Sequence, residues 1–466
     1  MPPSSAVPVL AIGIATACAA FIVYRSWVGS QDDEASSQSS QAPSPSLVNV
    51  PLSNLESGFL VVPSIATVSF YDGAPPTALP QRVRAILEAN PFLRARLSPL
   101  GDDSGRVSAA YNEPATGKPL DIHPYYEEIS TTNPDLPPGL LRGASYSDIV
   151  EAAQPYIVGS GETQLGSGGP LFKVTLLRLL AREGGVGGSF AIFVSLSHIL
   201  GDGSTFYRIH NMLAPGSDIG FMDRSLVDIS REASRALGDA EASFLESDAV
   251  ARSFRLNVVK PAHSHLAWVN QEAIRCRKDE ESVRGFELSL STNDILASAF
   301  FEASGCDVGC MAMNLRGRLP GVDISNAAGN YETTIPYVLP DFHPAAIRLS
   351  VRGPHVYQRP SAASSLASNA RPGTLPASEV LAAGRLSVVS NLASFYDPGS
   401  MILGEECTLS LHLVLRPTNA VAWRDSLFVF RSNDRLGVVC AGRGVCRSAE
   451  ALRSSAFGRY LEPEFQ

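Results

Sequence analysis

The chain has 466 residues, of which 45% are hydrophobic, 18% charged and 8% aromatic, so it is not disordered, collagenous or of low complexity. Its 46 acidic against 37 basic residues leave a net charge of −9, which denies the chain as a whole the positive field that a phosphate backbone requires; no nucleic-acid partner is expected. The seven cysteines (Cys18, Cys276, Cys306, Cys310, Cys407, Cys440 and Cys446) form no C-x-x-C pair, and the Cys306/Cys310 spacing fits no zinc pattern, so free thiols and no metal are expected.

At the N-terminus no charged side chain precedes Arg25, and the 18 residues from Val7 to Tyr24 are interrupted only by Pro8, Gly13 and Thr16. Such a stretch is just long enough to span a bilayer. Met1 to Val7 lacks the basic residues that open a secretory signal, which favours an uncleaved anchor over 1–28; the small residues Ala17-Cys18-Ala19-Ala20 leave cleavage as the alternative. Arg25 on the C-terminal flank places the remainder on the cytosolic side by the positive-inside rule, with the endoplasmic reticulum as the expected membrane and a plastid or a lumen as the alternative. Absence of any N-x-[ST] glycosylation acceptor points the same way. Residues 29–46, rich in Ser, Gln and Pro, cannot repay the entropy of ordering and are expected to be a flexible linker.

The remaining stretch, roughly 420 residues, exceeds what a single hydrophobic core supports, so two domains are expected: 47–245 and 276–466, joined by a crossover over 246–275. Leu79, Val83, Ile86 and Leu87 fall on one helical face between Thr77 and Asn90, with Pro91 following. Phe172, Val174 and Leu176, then Phe190, Ile192, Val194 and Leu196, alternate as two strands joined by the Gly-rich loop Glu183–Gly188. The second strand ends at Ser197-His198, where Gly201-Asp202-Gly203 cannot continue it, and Asp202 or Ser204 caps a helix running through Tyr207 and Leu213. Asp223 to His265 reads as a helix and then an extended crossover without strand alternation. Ser291-Thr292-Asn293-Asp294 opens a second buried helix through Phe300. Strands are expected at Gly309–Asn314, Leu386–Ser390, Thr408–Leu415, Ser426–Arg431 and Leu436–Ala441, the last two joined by the Ser432–Arg435 turn. The fold class is α/β (α+β), two domains with mixed, largely antiparallel sheets.

His198, Asp202 and Gly203 form H-x-x-x-D-G at the end of a buried strand. Histidine is the side chain suited to take a proton near neutral pH, while the nearby carboxylate fixes the geometry of the loop without needing to touch the imidazole. A half-buried Asp202 demands a cation, and Arg316 and Arg318 in Asn314-Leu315-Arg316-Gly317-Arg318 are the candidates. His412, inside the alternating run CTLSLHLVL, reads as a core histidine, and His263 and His265 as loop residues lacking a third metal ligand. Arg275, Arg277 and Lys278 read as a solvated turn, because Asp279, Glu280 and Glu281 follow; the other reading is contact with a nucleotide phosphate of a cofactor.

In ordered segments the chain resembles the coenzyme-A-dependent acyltransferases of the chloramphenicol acetyltransferase fold, and among them the BAHD-type and related fungal enzymes. The segments are AILEANPFLRARLSPLG (Ala85–Gly101), GPLFKVTLL with SLSHILGDGSTFY (Gly169–Tyr207), STNDILASAF (Ser291–Phe300), and NLRGRLPG with AGN (Asn314–Gly321, Ala328–Asn330). Where BAHD enzymes carry D-F-G-W-G, this chain has Asp397-Pro398-Gly399-Ser400-Met401, keeping Asp397 and Gly399 but losing both aromatics. Ser197 precedes His198 where condensation domains typically carry a second histidine. The resemblance implies an enzyme with an interdomain channel, in which His198 serves as general base while acyl-CoA, a co-substrate and no resident cofactor, donates to a hydroxyl or amine of a small-molecule acceptor; the membrane anchor points to a lipophilic acceptor, and a monomer is expected. Gly203, Arg316, Arg318, Asp397 and Gly399 would be structural at that site. The alternatives are transfer from a carrier-bound pantetheine, or a catalytically silent membrane-tethered binding protein of the same fold.

Overall fold

The computed structural model describes residues 47–52, 56, 59–99, 107–114, 118–130, 145–179, 189–238, 242, 245, 263–283, 289–339, 341–351, 385–396, 407–414 and 423–465. The expected anchor and linker, the Glu183–Gly188 loop and the Asp397–Met401 segment lie outside the described residues, as does 246–262 of the crossover. Among the described residues no helix is long and apolar enough to cross a membrane.

The strands are β1 (Leu47–Val50), β2 (Ile65–Asp72), β3 (Arg96–Pro99), β4 (Val107–Asn112), β5 (Tyr126–Ser130), β6 (Phe172–Leu179), β7 (Ser189–Leu196), β8 (His263–Val269), β9 (Val308–Asn314), β10 (Glu332–Tyr337), β11 (Leu386–Asn391), β12 (Cys407–Leu413), β13 (Asp425–Ser432), β14 (Arg435–Gly442) and β15 (Leu461–Phe465). The helices are α1 (Leu79–Ala89), α2 (Tyr146–Ala153), α3 (Gly161–Ser167), α4 (Gly203–Met212), α5 (Ser230–Leu237), α6 (Gln271–Val283), α7 (Thr292–Ser304), α8 (Pro344–Ser350) and α9 (Ala449–Arg453). They form a mixed α/β architecture with a five-stranded sheet ordered β12-β2-β7-β6-β5, a seven-stranded sheet ordered β10-β9-β11-β13-β14-β8-β15, and a small sheet β1-β4-β3. Most pairs are antiparallel, but β5 runs parallel to β6, and β11 runs parallel to both of its neighbours.

Periodicity accounts for the elements that position the site. In α1 the four apolar residues of the expected face, Leu79, Val83, Ile86 and Leu87, are all buried, each contributing about 1.5–3 kcal/mol of transfer free energy. β6 and β7 pair from Phe172↔Leu196 to Leu179↔Ser189, which delivers the chain to His198 at the end of a fully hydrogen-bonded strand. Helix α7 opens with a reciprocal capping box between Ser291 and Asp294, as the sequence spacing predicts.

The five-stranded sheet is covered on both faces. Phe206 and Tyr207 of α4, with the apolar stripe of α1, pack on one side against Ile192 and Val194. On the other, Val68, Phe193 and Leu411 meet Leu266, Trp268, Phe430 and Val439 of the seven-stranded sheet in one buried cluster. Helices α6, α7 and α9 cover the far face of the larger sheet through Ile274, Phe300 and Leu452.

Two expectations are corrected. His263 and His265 are not loop residues but lie on β8, a central strand paired to β14 from His263↔Gly442 to Trp268↔Gly437. Both faces of that strand are covered, so the period-two alternation that would betray it is absent. Arg275, Arg277 and Lys278 lie within α6 and not in a turn. Arg275 pairs with Glu272, and Arg277 with Glu280 and Glu281, so the following acids extend the helix through i,i+3 and i,i+4 contacts. The sequence carries no sign of where β12 pairs: it lies among strands of the larger sheet in chain order but pairs with β2, from Cys407↔Tyr71 to Leu413↔Ala66, and so completes the smaller one.

Candidate active site

The strand-to-helix junction after β7 carries the H-x-x-x-D-G residues. His198 is half-buried, with its ring stacked on Phe59 at a centroid distance of 5.0 Å and an interplanar angle of 14°. Its backbone carbonyl accepts a hydrogen bond from Asn330 Nδ2 at 2.8 Å, which holds the main chain, and Nδ1 is enclosed without a hydrogen-bond partner among the described residues. Desolvation lowers the imidazole pKa to about 4, Asp202 and Asn330 opposing the shift without cancelling it. The ring is therefore neutral at physiological pH, able to accept a proton.

Asp202 is turned into the protein, where its carboxylate makes three hydrogen bonds. As N-cap of α4, its Oδ1 accepts from Thr205 N at 2.9 Å. Oδ2 accepts from Arg316 Nη1 at 2.6 Å and from Tyr331 N at 3.0 Å. Arg316 is saturated in turn: Nε donates to Ala327 O, Nη1 also to Asn314 Oδ1, and Nη2 to Thr205 Oγ1 and Gly329 O, all between 3.0 and 3.1 Å. Its guanidinium also lies 5.0 Å from the centre of the Tyr331 ring. Gly329 adopts φ 135, and a Cβ there would stand 2.8 Å from Arg224 Nη1, so only glycine turns the chain past this cluster.

Arg318, the other candidate partner of Asp202, is not part of this arrangement. Two residues beyond Arg316 across the Gly317 turn, it donates to Val351 O at 3.5 Å. Gly203 begins α4 where a Cβ would come 2.6 Å from Leu392 Cδ2, so the missing side chain lets the segment after β11 lie against the first turn of α4. Asn211 Nδ2 donates to Phe395 O at 3.0 Å and holds the same segment. Asp397 and Gly399, just beyond it, lie outside the described residues. Arg275 and Arg277 are committed to the ion pairs of α6, and Lys278 shares that helix; the structure does not bring this cluster to His198. Among the described residues no group of three or more potential ligands is arranged to hold a metal ion.

Several site residues carry no strong sequence signal. Glu56 and Arg224 form a buried ion pair at 3.0 Å; Arg224 Nη1 donates to Ala328 O, and Asn330 N reaches Glu56 Oε1 at 3.4 Å. This pair braces the Asn330 that holds His198. Glu332, next to Tyr331, is pushed up by burial and by the charge of Asp202. Beneath His198, His412 on β12 places Nδ1 3.3 Å from the Tyr207 hydroxyl, and burial with the proximity of His198 lowers its pKa to about 3. His210 lies beside Tyr207 and Tyr396, buried, with neither ring nitrogen partnered among the described residues and its pKa lowered to about 4 by desolvation. Asn330 stands in the quoted AGN segment, which could have pointed to it; Glu56 has no such marker.

The chain matches no sequence-family profile and no curated protein sequence. Solved structures do resemble it. F. graminearum TRI101 complexed with ethyl coenzyme A is similar over 90% of this chain and 99% of its own, with 13% identity and a TM-score of 0.52. The same protein without ligand gives 12% identity and a TM-score of 0.52 over 90% of this chain and 99% of its own. Complexed with coenzyme A and deoxynivalenol, it gives 14% identity and a TM-score of 0.51 over 89% and 99%. From the paired α/β sheets and this likeness, the chain has the mixed α/β, chloramphenicol-acetyltransferase-like fold that these TRI101 structures share.

Proposed function

We propose that the protein transfers an acyl group from acyl-CoA to a hydroxyl or amine, with His198 as general base. The observation that carries this reading is a neutral, half-buried imidazole whose main chain is braced by Asn330, beside an aspartate wholly committed to Arg316, Thr205 and Tyr331. Asp202 is thereby a structural anion, and His198 is left as the proton acceptor. TRI101 crystals containing coenzyme A together with T-2 mycotoxin or deoxynivalenol supply a precedent for two ligands, thioester carrier and small acceptor, on this fold.

In the proposed step His198 takes the acceptor proton as the acceptor oxygen or nitrogen attacks the thioester carbonyl. The tetrahedral adduct then collapses, the C–S bond breaks, and the proton passes from the imidazolium to the departing thiolate. The new ester or amide and free coenzyme A are the products, and no covalent enzyme intermediate is needed. The apolar run Val7–Tyr24 supports a lipophilic acceptor.

The test incubates the full chain with mixed acyl-CoAs and a lipid extract, following free coenzyme A and acylated products by mass spectrometry. Acceptor-dependent release of coenzyme A, abolished by His198→Ala with thermal stability retained, is the expected result. Retention of most of the turnover by that variant would overturn the role of His198, and absence of release above the uncatalysed rate would overturn the activity.

A further inference from the structure

Away from His198, the chain builds a concavity on the small sheet β1-β4-β3. It encloses about 520 Å³, and none of its lining residues belongs to the Asp202–Arg316 cluster. Arg94, Arg96 and Lys118 line it together with two acids, Glu113 and Asp121, a local excess of one positive charge on a chain whose net charge is −9. The two arginines are held in place by tyrosines: Arg94 lies 4.6 Å from the Tyr111 ring centre and Arg96 lies 5.0 Å from that of Tyr125. Tyr125 also donates to Arg94 O at 2.9 Å, fixing the backbone between the two cations.

Arg94 is under-compensated. Its side chain is only 6% exposed; among the described residues its Nε has no hydrogen-bond partner and its ion-pair partner, Glu113, is 3.8 Å away and half in solvent. A buried guanidinium so served gains from an anion in the adjoining space. The hydroxyls of Tyr111 and Tyr125 are pushed up by burial, so neither adds negative charge to the wall. Besides the polar Ser98 and Asn112, the wall carries an apolar stretch: Leu47, 65% exposed, stands at the cleft with Pro114, Pro119 and Pro124.

We propose that this cleft binds an amphiphilic organic anion, its carboxylate or phosphate head against Arg94, Arg96 and Lys118 and its apolar body along Leu47 and the prolines. Planar guanidinium forks held on aromatic rings suit such a head group, because little rotamer freedom remains to be lost on binding.

Isothermal titration of the full chain with dodecanoate below its micelle concentration, and cosedimentation with phosphatidylcholine vesicles containing phosphatidic acid, test the site and distinguish its sources of ligand. Saturable binding of free dodecanoate identifies a free acid; vesicle binding that rises with phosphatidic acid over phosphatidylcholine alone, to which the apolar run Val7–Tyr24 could itself attach, identifies a lipid head group. In either case Arg96→Gln should weaken binding about tenfold, the loss of one charge-assisted hydrogen bond, and the exposed Lys118→Ala should weaken it less. His198→Ala should bind as the parent does, whatever becomes of acyl transfer. The proposal is overturned if neither probe binds, if dodecanol binds as tightly as dodecanoate, or if Arg96→Gln and Lys118→Ala, folded by thermal melting, both bind as the parent does.

Discussion

Burial keeps three imidazoles neutral: His198 and His210, with pKa values lowered to about 4, and His412, lowered to about 3. In the unfolded chain each takes a proton near the ordinary value of about 6.5. Between pH 6.5 and 4 the unfolded state therefore binds more protons than the native state, so stability is full above that window and is lost as pH falls through it. Urea midpoints of the parent should drop between pH 7.5 and 5, and His412→Phe, which removes one such titration, should narrow the drop; an identical pH dependence in parent and variant would exclude this account of His412. Asp202 makes a second prediction at the same scale. Asp202→Asn leaves Arg316, itself 6% exposed, without its charge partner, which costs about 3–5 kcal/mol. Its urea midpoint and its acyl-transfer rate should fall together, whereas a catalytic proton carrier would lose rate alone. His198, Asp202 and Arg316 are legible because a local geometry, strand end to helix cap, dictates the first two, and a buried carboxylate demands the third. Glu56 was not, since it meets Arg224 and Asn330 from 168 and 274 residues away in the chain, a distance over which no local pattern acts.

At the scale of elements, one-sided burial separates what the sequence reveals from what it hides. Helix α1 and strands β6 and β7 follow from their apolar spacing, whereas β8 is covered on both faces and shows no alternation. The acids after Arg277 misled for the opposite reason, since a run that looks like a solvated turn also makes helical ion pairs. Packing between elements yields a further prediction. Gly309 on β9 lies under Phe301 of α7, where a Cβ would fall 2.5 Å from the ring, and Phe301 is itself wedged between Tyr337 and Phe342. The ring is fully buried. Gly309→Ala should therefore cost about 1–3 kcal/mol in chemical denaturation, as overpacked cores do, and Phe301→Leu in the same chain should recover part of the loss. If Gly309→Ala unfolds at the parent's midpoint, α7 is not held as closely on β9 as this contact requires.

At the scale of the molecule, β12 decides how the two large sheets behave. It leaves the sequence of the larger sheet to add an edge to the smaller, with Leu411 opposite Val68 and His412 opposite Thr67, and Ser410 Oγ 2.9 Å from Ser69 Oγ. Ser410 N also donates to Ser432 Oγ of β13 at 3.0 Å, so the same strand is tied to both sheets. The buried cluster behind it joins Phe193, Leu411 and Leu413 of one sheet to Trp268, Phe430 and Val439 of the other, and the Asp202–Arg316 pair joins the two halves again at the site. Neither sheet can open without exposing this shared surface and breaking a buried ion pair. The two should unfold as one cooperative unit, although the chain is long enough for two separate cores. Calorimetry of the full chain should show a single transition whose van't Hoff and calorimetric enthalpies agree. Leu411→Ala, a cavity between the sheets, should move that whole transition down by the equivalent of about 2–5 kcal/mol without splitting it. Two resolved transitions in the parent, or one that shifts while a second stays in Leu411→Ala, would show that the exchanged strand leaves the sheets independent.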